Sequence, residues 1–246
     1  MTMSAEEGLA AAAALGPFSS VDPRPSRDWL SWARMVEDPA VLEQRVTEVR
    51  RMLAAGPASP SVEPRVAASI VHLGLVARLL SPILGAALVS GVAPVCPPSR
   101  VHLRLAGTNP FPLALTGAGA VAAIGPDAVA DALEVHWLGP AVAPLTAAVG
   151  ERFGLSRHVL TGNTASAAAG ALRAAGTAQP ELAGRAEAVL EALLAAGPLA
   201  GSGRRREDGS FVRRSCCLFY RLPGAGTCGD CVLTAHTMAG TGPVEV

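Results

Sequence analysis

Four of the chain's five cysteines fall between Cys216 and Cys231, as an adjacent pair, ten intervening residues and a Cys-x-x-Cys. Any fold open to this chain has to accommodate four thiols within one short C-terminal loop, and three chemistries compete for them. Disulfides need an oxidising compartment, and neighbours such as Cys216 and Cys217 pair poorly with each other for geometric reasons. Structural zinc takes four thiolates in a closed tetrahedron. Zinc modules, however, present two separated short-spaced pairs, whereas an adjacent pair must bend its backbone to aim both sulfurs at one ion. In an iron-sulfur cluster four thiolates hold two bridged irons, each iron needs only two of them, and the halves of the motif can approach from different directions. The connecting residues favour this third account. Pro223-Gly224-Ala225-Gly226 and Gly229 let backbone N–H groups come close to cluster sulfurs, and Leu218, Phe219, Tyr220 and Leu222 offer an apolar wall. Cys216, Cys217, Cys228 and Cys231 are the favoured ligands, with zinc and disulfides left open. Cys96, alone between Val95 and Pro97, reads as a small buried hydrophobe.

The rest of the 246 residues must build a core. Half are hydrophobic and 16% charged, and the 20 basic residues, all arginine, balance 20 acids. This composition excludes a disordered tail. At this length about 70 to 75% of the unfolded surface can be buried without disulfide support. Zero net charge argues against nucleic acid as a partner. Met1 to Leu15 carries Glu6 and Glu7 and no arginine, unlike a secretory signal, so a cytoplasmic location is expected. The stretch from Ile70 to Val95 is the most membrane-like, but Arg78 and Pro82 interrupt it, so it reads as buried helices with at most peripheral membrane contact.

Helix punctuation is plain. Asp38-Pro39 and Gly56-Pro57 bracket a helix over roughly 39–55, and apolar spacing from Val66 to Leu80 predicts another over 63–80, with Ser81-Pro82 opening a further segment to about 90. Pro140 opens a helix ending near Gly154, Asn163 or Thr164 caps one reaching Ala175, and a last runs from Pro180 to Ala196. Alternation predicts a hairpin over 101–115 with Pro112 at an edge, a strand through Leu133, Val135 and Trp137, and a hairpin turning at Arg206-Glu207-Asp208-Gly209. The expected class is α+β, mostly helical with a small antiparallel sheet. Residues 1–198 are expected to form the body, and 199–246 the hairpin and cysteine-rich segment. No fixed-period repeat, nucleophile elbow, phosphate loop or dinucleotide fingerprint stands in a suitable context.

Cys216-Cys217-Leu218-Phe219-Tyr220-Arg221-Leu222-Pro223 followed by Cys228-Gly229-Asp230-Cys231 resembles the C-terminal signature of the FhuF-type ferric-siderophore reductases. Ser156 to Leu172, with Gly162-Asn163, resembles a second segment of that family, although Thr161 stands where the family often has tryptophan. The resemblance implies a cytoplasmic 2Fe-2S protein, with Cys216, Cys217, Cys228 and Cys231 as ligands, that passes one electron to Fe3+ in a siderophore. It also implies a donor protein such as a ferredoxin, flavodoxin or flavin reductase. A non-enzymatic electron carrier or sensor, or a zinc-stabilised module, remains the alternative.

Arg204, Arg205, Arg206, Arg213, Arg214 and Arg221 crowd the approach to the cysteines and are candidates for attracting an anionic siderophore or an acidic donor; a solvated hairpin face is the other reading. His236 reads as a surface residue near the cysteines, His72 as core-edge packing, His102 and His136 as strand positions and His158 as a loop residue. None has the short spacing of a metal site.

Overall fold

Side-chain caps start several of the helices in the computed structural model, which describes residues 3–54, 61–105, 107 and 109–234. Ser4 and Glu7 form a reciprocal capping box that starts α1 (Ala5–Ala12). The short β1 (Leu30–Ser31) leads into α2 (Trp32–Glu37), and Asp38 caps α3 (Pro39–Leu53) with Pro39 at its start, as that pair predicts. Helix α4 (Pro64–Ser90) ends at Gly91 in the left-handed conformation and is followed by β2 (Val92–Val95), β3 (Val101–Leu103), β4 (Leu113–Leu115) and β5 (Gly119–Ala122). Helix α5 (Pro126–Leu133) continues through a π-helical stretch, Glu134–Val142, into α6 (Ala143–Phe153). Then come α7 (Arg157–Ala178), α8 (Ala183–Ala195) and a hairpin of β6 (Gly203–Arg205) and β7 (Phe211–Arg213).

The expected class holds: the chain is mostly helical α+β, with three small antiparallel sheets among the described residues where one was expected. The 101–115 hairpin forms, with Val101 opposite Leu115 and Leu103 opposite Leu113. Its second strand lies at the sheet edge just after Pro112, where the missing N–H costs no ladder bond. The hairpin at 206–209 also forms.

Three expectations give way to packing. The 63–80 helix and the segment opened by Ser81-Pro82 are one helix, α4, because Leu79, Leu80, Ile83 and Leu84 are all buried around the proline and core contacts outweigh the local break. The strand through Leu133, Val135 and Trp137 is helical instead. Leu133 and Trp137 are four apart and buried together, Val135 is exposed, and Trp137 Nε1 donates to Pro94 O at 2.9 Å. His136 therefore lies in the π-helical stretch and not on a strand. Finally, α7 starts at Arg157 with Ser156 as its cap, so Asn163 and Thr164 lie inside it and His158 in its first turn.

Helix α4 is the axis of the core. It is long and apolar enough to cross a membrane by length and composition alone, but 72% of its most apolar stretch is buried inside the molecule. Arg78, in its middle, is 3% exposed and donates to the carbonyls of Phe111, Phe18 and Ser20 at 2.6, 2.9 and 2.7 Å. It packs along α7, where Asn163 Nδ2 donates to Ser69 O and Oγ, both at 3.0 Å.

His72 on α4 is fully buried; its Nε2 meets Thr146 Oγ1 at 3.0 Å, and Nδ1 has no partner among the described residues. Burial pushes its pKa down from 6.5 to about 3. Between those values the unfolded chain binds a proton that the folded chain refuses. Stability from this group is therefore complete above pH 6.5 and falls toward pH 3 at up to about 1.4 kcal/mol per pH unit. Urea unfolding from pH 7 down to pH 4 should show this slope, and His72→Gln should flatten it relative to the unchanged chain.

Candidate metal centre

The hairpin β6–β7 delivers the chain to the cysteines. Two residues after β7, Ser215 packs against α7 so closely that a Cβ at Gly162 would collide with its hydroxyl, which is why a helix interior carries glycine there. The adjacent pair, which follows directly, meets its geometric problem. Leu218 solves it: its φ of +68°, the one positive value at a described non-glycine residue, turns the backbone back so that its own N–H donates to Cys216 Sγ at 3.4 Å. A 3-10 turn, Phe219–Arg221, follows, and Arg221 reaches Glu63 at the start of α4 at 2.6 Å. Gly224 and Gly226, both with positive φ, bring the chain round to Cys228. The Cys-x-x-Cys closes on a Cys231 N–H to Cys228 O bond of 3.2 Å, and Leu233 N–H donates to Cys231 Sγ at 3.4 Å, mirroring the contact at Cys216.

These turns bring the two halves of the motif together. Cys217 Sγ lies 3.4 Å from Cys228 Sγ, far beyond a disulfide and near the ~3.8 Å between two sulfurs each about 2.3 Å from one tetrahedral metal. All five cysteines are free. Cys217 and Cys231 are buried, and Cys216 and Cys228 are half-buried toward solvent. Among the described residues no three His, Cys, Asp or Glu side chains converge on a single point, as one ion would require.

Electrostatics around the sulfurs are organised by one side chain. Arg213, 1% exposed, donates through Nε and Nη2 to Asp230 Oδ2 at 3.0 and 2.9 Å, and through Nη1 to Asn163 Oδ1 at 2.7 Å. Asn163 Nδ2 in turn donates to Ser69 O and Oγ, both at 3.0 Å, and Ser69 Oγ donates to Cys217 O at 2.8 Å. Arg213 is thus tied directly to the Cys-x-x-Cys and, through α7 and α4, to the adjacent pair. Asp230 is held below its usual range: burial opposes ionisation, but the Arg213 charge and hydrogen bonds with Ser166, Arg213 and Cys228 outweigh it. Cys217 is pushed down to about 6, chiefly because the Cys228 thiol donates to it, and the Cys228 thiol is pushed up by giving that bond and by burial. Burial also raises Cys216.

Of the six arginines expected on the approach, the structure removes Arg213 from solvent. That side chain is not available as a surface contact, because its donors are spent on Asp230 and Asn163. Arg205 is neutralised by Glu187 and Glu191 at 3.1 and 2.7 Å, and Arg221 by Glu63. Arg204 and Arg214 are exposed and make no salt bridge among the described residues, and Arg206 is half-buried near Asp208. Tyr220 is exposed, so the apolar wall is made by Leu222 with the half-buried Leu218 and Phe219. Cys96 is half-buried against the core, its thiol pushed up to about 11 by burial. His236 lies outside the described residues. Sequence reasoning did not place Ser69, Ser166 or Asp230 in the site; only Asp230, inside the Cys-x-x-Cys, carried a local signal.

Residues 213–233 match the family model described as the FhuF 2Fe-2S C-terminal domain, a domain associated with ferric-siderophore reductases. The match spans all four clustered cysteines together with Arg213 and Asp230, and it marks the chain as an iron-sulfur protein of siderophore iron handling whose cofactor is a 2Fe-2S cluster. No curated protein matches the chain. The residues present suit that group. Two sulfurs sit at a shared-iron separation, two more accept backbone N–H groups, and a buried guanidinium faces the negative charge that four thiolates bring. Ser215 Oγ, buried beside Cys216 in the chain, has no hydrogen-bond partner among the described residues.

The Gly162 contact gives a test of this seating. Gly162→Ala should lower the melting temperature by several degrees and reduce iron incorporation, because the added methyl displaces Ser215 and the cysteine that follows it. The reference is Gly170→Ala on the same helix, where a Cβ meets nothing and iron content should be unchanged.

Proposed function

We propose that this protein reduces Fe3+ held by a siderophore, one electron at a time, in the cytoplasm, releasing Fe2+. The observation that carries this reading is the domain match over 213–233, which covers the four thiols that the chain gathers around Arg213. In this reading Cys216, Cys217, Cys228 and Cys231 hold the 2Fe-2S cluster, which supplies single-electron transfer when bound.

The substrate chemistry supports it. Hard oxygen ligands hold trivalent iron more tightly than divalent iron because attraction grows with ion charge, so one added electron loosens the complex. The chain's own residues would serve three needs. Cys217 and Cys231, both buried, form the inner side of the centre, away from water. Cys216 and Cys228, half-buried, mark the side open to substrate and donor. Arg204 and Arg214 supply exposed positive charge on the hairpin for an anionic chelate or for an acidic donor such as a ferredoxin, flavodoxin or flavin reductase. Free cysteines suit a reducing cytosol.

Anaerobic purification should yield a red-brown protein with about two irons and two labile sulfides per chain. Dithionite-reduced protein should be reoxidised stoichiometrically on mixing with a ferric hydroxamate or catecholate under argon. A colourless protein holding zinc would overturn the cluster, and a cluster that no ferric chelate reoxidises would leave an electron carrier. Cys228→Ser should weaken or abolish assembly, since a serine oxygen is a poorer ligand for cluster iron. Arg214→Ala should slow transfer to an anionic chelate several-fold at low ionic strength and little at high.

A further inference from the structure

The Arg213–Asp230 pair is an expensive way to hold two segments together. Both ions give up hydration, and a packed apolar pair of similar volume often serves stability as well. What an apolar pair cannot supply is a field, and this one stands within the cysteine segment. Asp230 sits between Cys228 and Cys231, and Arg213 is three residues before Cys216 with its guanidinium locked in place by Asn163. The pair is fixed from both sides: Arg213 N–H also donates to Asp230 O at 3.2 Å, so backbone and side chains together hold the two charges inside the cysteine segment.

We propose that Arg213 and Asp230 form a charge couple that sets how readily the centre accepts its electron, with Arg213 favouring the reduced state and Asp230 opposing it. Asn163 is the positioning residue that fixes the guanidinium in this couple. The proposal rests on the 2Fe-2S reading and adds to it a reason for burying the pair. Reduction adds one negative charge to a site already rich in thiolate, and a fixed positive charge stabilises that added electron without reorganising at the moment of transfer. The carboxylate acts in the opposite sense, so the two side chains pull the potential in opposite directions.

Spectroelectrochemistry of the cluster-loaded full chain tests this. Arg213→Gln should lower the reduced-to-oxidised ratio at fixed potential by about tenfold or more, corresponding to a shift of ~59 mV per tenfold for one electron. Asp230→Asn should raise the ratio, and Arg213→Lys, which keeps the charge, should stay near the unchanged protein. A purely structural pair would not give opposite signs. Shifts in one direction for both neutral variants, or no shift in either, would overturn the couple. Should Arg213→Gln fail to assemble a cluster, Asp230→Asn with Arg213→Lys still decides, because an unmoved Asp230→Asn overturns the proposal alone. An unchanged protein that reconstitutes no cluster at all overturns the functional reading beneath it, an outcome distinct from a cluster whose potential ignores these side chains.

Discussion

The cysteine segment is held by one buried guanidinium. Arg213 bonds Asp230 through side chain and backbone, and its remaining reach goes to Asn163 on α7. Removing the charge from water is costly, and the cost is met only because its neighbours supply acceptors at 2.7 to 3.0 Å. That requirement runs outward through the molecule. Asn163 must lie inside a helix rather than at its start, Ser69 must face it across α4, and both helices must carry small residues where they meet. The hydroxyl and amide that complete the chain of bonds are buried at 0% exposure, so each has to be satisfied internally. The positions of α4, α7 and the hairpin are thus consequences of one buried ionic requirement as much as of apolar burial.

Local punctuation was readable where the signal depended on neighbours in the chain. Asp38-Pro39, the 101–115 hairpin and the turn at 206–209 follow from capping and from residues that suit tight turns, and each forms as expected. Expectations failed where distant packing overrode local chemistry. Pro82 reads as a helix start until it is surrounded by Leu79, Leu80, Ile83 and Leu84. The spacing of Leu133 and Trp137 fits both alternation and a helical face, and only the Trp137 bond to Pro94 O and the exposure of Val135 decide between them. Asn163 reads as a cap because asparagine usually competes with its own helix for hydrogen bonds. Its amide is instead spent on Ser69 and Arg213, partners 94 and 50 residues away, which no local pattern encodes.

The candidate site divides the same way. The four thiols stand out by spacing, and the structure brings Cys217 against Cys228 from opposite ends of a ten-residue loop. The arginine run gave no hint of which members face solvent. Burial of Arg213 and pairing of Arg205 and Arg221 follow from acids on α4, α8 and the cysteine loop itself, contributed by segments far apart in the chain.

The adjacent pair, a poor geometry for one ion, becomes workable through Leu218. A left-handed leucine costs about 1–3 kcal/mol and persists only where its surroundings over-determine it. Here they do: its N–H is engaged by Cys216 Sγ, its carbonyl accepts from Arg221 N–H at 3.0 Å, and its side chain packs on the core. Glycine would adopt the same angle without strain but would leave that side chain's contact with the core empty. The leucine therefore couples the bend to the hydrophobic core. The direction of Cys216 and Cys217 is thus set by the packing of the helical body as well as by the spacing of the cysteines.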